Sequence, residues 1–250
     1  MSFFTISLAG VPIGVSSLST KVEEDFAEYI TSEQPSFTVA TTMADLVRER
    51  GYSCIKDAEE GVVDRHSSRN RLEKLFLLRS ITERILAYNV ILMHGAVVAV
   101  DGRCYMFTAP SGTGKTTHVK LWLEQLPQAY VLNGDKPFLK VTEESDVLAC
   151  GVPWRGKEGL GCNEILPLEA ICILDRSPEN RICIVEPKVV ISRLIRQTHI
   201  PADPASAVKA LQLLDSIVRR VRLYHLECNM DPDAAKVSID AMLRKELFDL

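Results

Sequence analysis

The order of apolar and polar residues predicts a succession of strands and helices along the chain. The first quarter contains predicted strands within 1–18, over 36–40 and over 52–56, and predicted helices over 20–30 and 42–50. The first of these helices is expected to open with a capping box that begins at Thr20. The polar stretch 57–68 predicts a boundary between a small N-terminal α+β region (1–67) and a larger core (68–250).

The remainder of the chain has longer apolar runs, which predict one mixed sheet with helices on its faces. The predicted strands are 90–100, 103–108, 129–139, 147–152, 168–174, 181–185 and 223–226, and the predicted helices are 71–88, 189–197, 206–221 and one that begins at Pro232. Asp101-Gly102 between two apolar runs is typical of a tight β-hairpin. A second hairpin is expected around Pro178. The fold class is therefore predicted to be α/β.

A loop of small residues follows the strand that ends at Thr108, and we call residues 109–116 the phosphate loop. Its pattern matches G-x-x-x-x-G-K-[ST], with alanine in place of the first glycine. A curled backbone of this kind points successive N–H groups at one anion, and the following helix adds its positive N-terminus. The predicted phosphate-binding residues are Ala109, Pro110, Ser111, Gly112, Thr113, Gly114, Lys115, Thr116 and Thr117. Lys115 would reach the terminal phosphates, and the Thr116 hydroxyl would ligate Mg²⁺.

Composition and charge exclude several classes of protein. The 250 residues are 46% hydrophobic and carry a net charge of −4, so we expect no general affinity for nucleic acid. The longest apolar run, 90–100, is interrupted by His94 and is too short to span a bilayer. No basic residue precedes Lys21, which favours a first strand over a signal peptide. Seven cysteines without a C-x-x-C pair are typical of reduced thiols in a cytoplasmic protein.

The order of these features resembles the HPr kinase/phosphorylase family, which shares its core with phosphoenolpyruvate carboxykinase. His94-Gly95 precedes the hairpin and the phosphate loop, Asp135 follows an apolar strand, and a Gly-Leu-Gly sequence begins at Gly159. The resemblance covers residues 90–185 well and is strongest to compact HPr-kinase-like proteins, some of which phosphorylate serine on peptides. It implies a mixed-sheet phosphate-loop core with flanking helices that uses ATP and Mg²⁺.

The resemblance also implies roles for individual residues. His94 matches the family's active-site histidine, and Asp135 matches one carboxylate of an aspartate pair. Gly134 stands where the family has the other aspartate, so the proton acceptor is left open, and Gly134→Asp is expected to restore the pair. Arg155 and Lys157 are the candidate cations of a catalytic loop that ends in Gly-Leu-Gly.

Some assignments remain open from the residues alone. Asp175 also follows an apolar strand and competes with Asp135 for the metal, although the resemblance favours Asp135. A lone histidine in an apolar strand is equally consistent with a core residue, so His94 has two readings. Trp154 either stacks on adenine or, as we favour, anchors its loop. The other histidines, which show no partner spacing, are expected to be structural or exposed: His66, His118, His199 and His225.

The segment 153–163, which we call the glycine-rich loop, combines several glycines with charged residues. We expect it to close on bound phosphates, with Arg155 or Lys157 as the delivered cation and Glu158 as a second metal ligand. The expected function is ATP-dependent phosphorylation of a hydroxyl on a peptide, a protein or a small molecule. The alternative is a nucleotide-binding regulator with weak catalysis. The sequence does not specify an oligomeric state, and a homo-oligomer is compatible with it.

Overall fold

The computed structural model describes residues 1–59 and 68–243 and contains two β-sheets, one of three strands and one of nine. The N-terminal unit is Met1–Ile85 and the C-terminal unit is Leu86–Leu250. The sequence predicted the division after residue 67 instead. Most of the predicted boundary stretch, and with it His66, lies outside the described residues. The division follows Ile85 because the helix that ends there packs within the N-terminal unit.

The N-terminal unit combines a small sheet with three helices among its described residues. Its elements are β1 (Ser2–Leu8), β2 (Val11–Ser17), β3 (Phe37–Ala40), α1 (Thr20–Asp25), α2 (Met43–Glu59), α3 (Arg69–Ile85) and a 3₁₀ turn at Ala27–Tyr29. β1 and β2 are the strands predicted within 1–18 and pair antiparallel, and β3 lies parallel to β2. The capping residue of α1 is Ser19 and not Thr20, since the Ser19 side chain accepts a hydrogen bond from the amide of Lys21.

The predicted strand over 52–56 is wrong, because these residues continue helix α2 without a break. The apolar residues of this stretch suggested a strand, but tertiary contacts favour the helix. Arg79 on α3 donates a hydrogen bond to Glu49 and places its guanidinium 4.8 Å from the ring centre of Tyr52. Two residues three positions apart share one side of a helix, so a single arginine contacts both.

The C-terminal unit carries the larger sheet. Its strands are β4 (Val90–Leu92), β5 (Ala96–Val100), β6 (Arg103–Thr108), β7 (Tyr130–Asn133), β8 (Phe138–Val141), β9 (Val147–Cys150), β10 (Ile165–Arg176), β11 (Arg181–Ile184) and β12 (Arg222–Cys228). Its helices are α4 (Lys115–Gln125), α5 (Pro187–Gln197), α6 (Pro204–Val218) and α7 (Pro232–Leu243), and Leu86–Tyr88 is a 3₁₀ turn. The fold of the unit is therefore α/β with a mixed sheet.

The strands join in the order β4-β8-β9-β10-β6-β5-β7, with β12 beside β10 and β11 beside β12. β5 and β6 form the predicted hairpin, and Asp101 and Gly102 in its turn both have positive φ. The start of β10 pairs antiparallel with β9, whereas its later part runs parallel to β6 and β12. The carboxyl ends of β6, β10 and β12 consequently meet at one edge of the sheet.

The predicted second hairpin around Pro178 is wrong. β10 and β11 do not pair with each other, because β12 lies between them and pairs with both. The turn residues 177–180 suggested a local return of the chain. The actual partner, Arg222–Cys228, comes after two intervening helices, and such a non-local pairing leaves no signal in a short window of sequence.

Helices on both faces bury the central strands of this sheet. α5 and α6 pack on one face, with Leu194 and Leu214 in the core, and α4 and α7 pack on the other, with Trp122 and Met242. Burial on both faces explains why β5 is apolar at every position. No helix among the described residues is long and apolar enough to cross a bilayer. All seven cysteines are free thiols.

A buried hydrogen-bond network joins α4 to α7. The Ser238 hydroxyl accepts a hydrogen bond from Trp122 Nε1 at 2.8 Å and lies 2.9 Å from His118 Nε2. Burial lowers the pKa of His118 to about 4 from its ordinary 6.5. The imidazole is therefore neutral in the folded protein at neutral pH, and His118 is a structural residue with a defined partner.

The stability of the C-terminal unit is expected to fall as the pH drops from 6.5 toward 4. In this range the unfolded chain protonates His118 and the folded chain does not, so the unfolded state binds more protons. The free energy of unfolding should decrease by about 2 kcal/mol between pH 7 and pH 5 from this group. Urea titrations followed by tryptophan fluorescence would measure it. His118→Gln, which keeps a donor for Ser238, should lose this part of the pH dependence, and an unchanged slope would contradict the assignment.

Candidate functional site

The phosphate loop leaves the end of β6 and enters helix α4, the strand, loop and helix order that the sequence predicted. Gly112 and Gly114 have φ of 80° and 127°, a region that only glycine enters without strain. Gly114 is the N-cap of α4. The open amides of the first helical turn therefore face out of the loop, as an anion site requires.

Lys115 is buried at the base of this loop. Its Nζ donates hydrogen bonds to the carbonyl oxygens of Ala109 at 2.8 Å and Pro110 at 3.2 Å. Burial lowers the pKa of Lys115, and the negative charge of Asp135 acts in the opposite direction. The ammonium group is thus held at the loop without a carboxylate in hydrogen-bond contact. Thr116 is exposed and Thr117 half-buried on the first turn of α4.

Arg176 at the end of β10 also holds the phosphate loop, and the sequence reasoning missed it. Its Nε donates to the carbonyl oxygen of Thr113 at 3.0 Å, and its Nη2 donates to that of Gly112. These bonds fix two consecutive peptide planes of the loop. The C=O and N–H bonds of a trans peptide point in opposite directions, so the N–H groups of these two peptides point away from the arginine. No motif surrounds Arg176, so only the parallel pairing of β10 with β6 reveals its position.

Asp135, His94 and Gln197 form a chain of polar contacts beside the loop. His94 Nε2 lies 3.3 Å from Asp135 Oδ1, and His94 Nδ1 lies 2.9 Å from Gln197 Oε1. Lys136 donates to the other carboxylate oxygen, Asp135 Oδ2. Thr108, the last residue before the loop, donates to the carbonyl oxygen of His94 at 2.7 Å. The sequence identified His94 and Asp135, whereas Gln197 comes from the end of α5 and carried no signal.

The Asp135 carboxylate is ionised at neutral pH. Burial alone would raise its pKa, but the hydrogen bonds and positive charges of His94 and Lys136 outweigh burial and lower the pKa to about 2. The backbone is fixed as well, because the amides of Asp135 and Lys136 both donate to Asn133 Oδ1. The carboxylate is therefore a preorganised negative group close to Lys115.

The glycine-rich loop is attached to the same corner. Asn133 Nδ2 donates to the carbonyl oxygen of Val152, the amide of Gly134 donates to that of Leu160, and the amide of Cys162 donates to that of Leu132. Trp154 is buried and stacks on Phe138, with ring centres 6.4 Å apart, so it anchors the loop as expected. Both ends of the loop are thus fixed, and the exposed stretch 156–160 lies between them.

Gly134 lies tightly against the glycine-rich loop. A methyl group there would lie 3.1 Å from the carbonyl oxygen of Arg155 and 3.3 Å from that of Leu160. These backbone atoms would have to shift by a few tenths of an ångström to accept a side chain. Gly134→Asp, the substitution expected to restore an aspartate pair, therefore requires the glycine-rich loop to move.

We expect Gly134→Ala and Gly134→Asp both to displace the glycine-rich loop. Alanine tests the steric effect alone, and aspartate adds a negative charge beside two carbonyl oxygens. The melting temperature should fall in both variants and further in the aspartate variant. Thermal unfolding would measure the shift, with Gly51→Ala, which meets nothing within 4 Å on helix α2, as the control that should not lose stability. An aspartate variant as stable as the parent would contradict this reading.

The predicted cations of the glycine-rich loop occupy different positions. The Arg155 side chain passes close to Gly161, and Lys157 is exposed. Glu158 pairs with Lys120 on α4 at 3.2 Å, so the structure does not bring it to Asp135. A methyl group at Gly156 would lie 2.8 Å from Asp135 Cβ, which shows how closely the loop approaches that carboxylate.

The competing carboxylate, Asp175, is committed to other partners. It accepts two hydrogen bonds from Arg193, at 2.7 and 2.8 Å, and lies 2.7 Å from His225 Nε2. Burial would raise its pKa, but Arg193 and His225 lower it. His225 therefore has a partner that its spacing in the sequence did not indicate. This cluster anchors the carboxyl ends of β10 and β12 beside Arg176.

Two of the predicted metal ligands, Thr116 and Asp135, provide oxygen atoms of the kind that bind Mg²⁺. The Thr116 hydroxyl and the Asp135 carboxylate are the oxygen types that Mg²⁺ prefers, and Mg²⁺ completes its shell with water and substrate phosphates. Among residues 1–59 and 68–243 no cluster of three or more His, Cys, Asp or Glu side chains is arranged to bind a metal.

Comparison with known proteins gives little further information. No family model and no curated protein matches the chain. Among solved structures, it is similar to the HPr(Ser) kinase/phosphatase from Coxiella burnetii, with a TM-score of 0.32 and 12% identity over 61% of this chain and 96% of that chain. A likeness at this TM-score carries no argument about activity, so the case for function rests on the geometry of the site.

Proposed function

We propose that this protein is an ATP-dependent kinase that transfers the γ-phosphoryl group to a hydroxyl, with serine of a peptide or protein as the acceptor. The observation that carries the proposal is the placement of Lys115 and the His94–Asp135 pair at one phosphate loop. Phosphoryl transfer needs a cradle for the phosphates, positive charge and a group that orients the acceptor hydroxyl. The loop, Lys115 and Asp135 supply these three elements in turn.

The chain's own residues account for the proton in this proposal. The acceptor oxygen forms a bond to the γ-phosphorus while the bond from that phosphorus to the β–γ bridging oxygen breaks, and ADP leaves. The hydroxyl proton passes to the His94–Asp135 pair, where it lies between Nε2 and Oδ1. Gln197 keeps the His94 ring oriented through its contact with Nδ1. Asp135 stabilises the imidazolium that forms.

Thr116 and Asp135 would hold Mg²⁺ with the nucleotide, and the ion would neutralise charge on the β- and γ-phosphates. Binding there requires Asp135 Oδ2 to exchange its contact with Lys136. Glu158 takes part only if the exposed part of the glycine-rich loop releases Lys120. Asp175 remains with Arg193 and His225 throughout.

We further propose that residues 155–160 of the glycine-rich loop close over the phosphates and deliver a cation. Arg155→Ala or Lys157→Ala is then expected to lower the rate of transfer by on the order of 10²-fold with little change in ATP affinity, because the cation acts on charge that develops in the transition state. Single-turnover transfer and calorimetric ATP binding would separate the two effects. Glu158→Ala, which removes the carboxylate proposed as a second metal ligand, is measured in the same way. Intact transfer in all three would show that the loop is only a connector.

A second candidate function is a nucleotide-binding regulator that does not catalyse transfer. The observation that favours it is the glycine at position 134, where the resemblance implies a second aspartate beside Asp135. Incubation of the protein with γ-labelled ATP, Mg²⁺ and an array of serine-containing peptides, each paired with its alanine counterpart, distinguishes the two functions. Label on serine peptides only supports the kinase. If the protein bound ATP but neither labelled any peptide nor released labelled inorganic phosphate, the kinase would be overturned in favour of the regulator.

A further inference from the structure

A cavity of about 590 Å³ adjoins the phosphate loop on the side of β10 and β12. Its lining includes the loop from Gly112 to Gly114 and Thr117, and also Pro178 and Met230. The volume lies within the range of about 300–1,000 Å³ that is usual for small-molecule sites. The groups proposed for phosphoryl transfer, Lys115, His94 and Asp135, do not line this cavity.

The direction in which a nucleotide crosses the loop follows from the order of the strands. His94 and Asp135 flank β5 and β7, which lie on one side of β6, whereas the cavity lies on the other side, at the ends of β10 and β12. The terminal phosphate belongs beside Lys115 and Asp135, and the backbone amides of a phosphate loop hold the inner phosphates. The remainder of the nucleotide must therefore leave the loop on the side of the cavity.

The outer wall of the cavity is already formed. Asn229 Nδ2 donates to the carbonyl oxygen of Pro178 at 3.0 Å, and the amide of Asn229 donates to Asn180 Oδ1 at 2.9 Å. These bonds join the segment after β10 to the segment after β12. A wall fixed in this way needs no ordering when a ligand binds, which favours affinity.

The lining of the cavity has the chemistry of a base and sugar site. Leu174, Pro178 and Met230 contribute apolar surface to the cavity. The Met230 side chain is 77% exposed, so it is available to cover a bound ring. Arg176 is bound edge-on to the loop carbonyls, and a planar guanidinium of this kind stacks well on an aromatic ring. A second cavity, beside Pro110 and Gln197, measures only about 70 Å³ and is too small for a nucleoside.

We propose that the 590 Å³ cavity binds the nucleoside half of the nucleotide, with the base between Arg176 and the apolar surface of Pro178 and Met230. This inference rests on the proposed function, because it assumes that the phosphate loop binds a nucleoside triphosphate. In this arrangement Arg176 has two roles, since it holds the loop carbonyls and contacts the base.

The test compares ATP with inorganic tripolyphosphate, which has the phosphates and no nucleoside. Calorimetric titration of the intact protein should show that ATP binds about tenfold or more tightly than tripolyphosphate. The double variant Met230→Asn/Pro178→Ser changes no charge. Its affinity for ATP should be about tenfold or more lower than that of the parent, and its affinity for tripolyphosphate should stay within about twofold of the parental value. Met43→Asn in the N-terminal unit, at an exposed methionine of the same kind, is the control and should change neither.

The outcomes separate this proposal from the function on which it rests. Unchanged ATP affinity in the double variant, with its thermal unfolding intact, would place the nucleoside elsewhere and overturn the cavity assignment alone. Failure of the parent protein to bind either ATP or tripolyphosphate would overturn the phosphate site and the cavity assignment together. A loss of affinity for ATP only would support the assignment.

Discussion

Lys115→Ala is expected to abolish phosphoryl transfer and to weaken ATP binding. The Lys115 ammonium is a buried positive charge at the phosphate loop, and its hydrogen-bond partners among the described residues are two backbone carbonyl oxygens. Those neutral partners are easily exchanged for the stronger attraction of a terminal phosphate, so the charge is available at the moment of transfer. Loss of one such preorganised group lowers rates by about 10²–10³-fold, and the loss of ground-state binding adds to this.

The measurements for this variant are single-turnover transfer from γ-labelled ATP and calorimetric ATP binding. Lys236→Ala, at an exposed lysine on α7 of the same unit, is the matched control and should retain both. Lys115→Met should lose activity without loss of thermal stability, since it replaces a buried cation with an apolar side chain of similar length. Transfer at the parental rate in either Lys115 variant would remove the basis of the phosphate-loop assignment.

The second large effect is expected for Asp135→Asn. The substitution keeps the shape of the side chain and removes the negative charge that His94 and Lys136 stabilise. Under the proposed function, that charge would bind the metal and orient the acceptor hydroxyl. We therefore expect the transfer rate to fall by about 10²–10³-fold or more, with the fold retained and the Mg²⁺ dependence weakened.

Asp175→Asn provides the comparison, because Asp175 was the competing carboxylate in the sequence. It should reduce thermal stability by weakening the bonds from Arg193 and His225, while transfer per folded molecule should stay near the parental rate. Rates are best normalised to the folded fraction measured by circular dichroism. If Asp135→Asn retained full activity and Asp175→Asn lost it, the two carboxylates would have to exchange their roles.

Much of the site could be predicted because its signals are local. The phosphate loop is recognised from eight consecutive residues and their flanks, and the hairpin at Asp101-Gly102 from two residues between apolar runs. His94 and Asp135 were selected through a family resemblance that depends on their order relative to this loop. Each of these inferences uses short stretches of chain, where residue type and backbone geometry are tightly coupled.

The residues that were missed depend on pairings between distant parts of the chain. Arg176 contacts the loop only because β10 runs parallel to β6, and Gln197 reaches His94 only because α5 ends beside β5. The erroneous hairpin at Pro178 has the same origin, since β12 is inserted from later in the sequence. The erroneous strand at Tyr52 differs, because there the contact with Arg79 overrides a weak local preference.

The tight space at Gly134 also bears on how such a site can change over time. The first atom of any side chain beside Asp135 would lie 3.1 and 3.3 Å from the carbonyl oxygens of Arg155 and Leu160, so the glycine-rich loop would have to shift to accept it. Earlier substitutions that let this loop shift would therefore lower the cost of a later aspartate at position 134. The effect of that aspartate depends in this way on the order in which the substitutions occur.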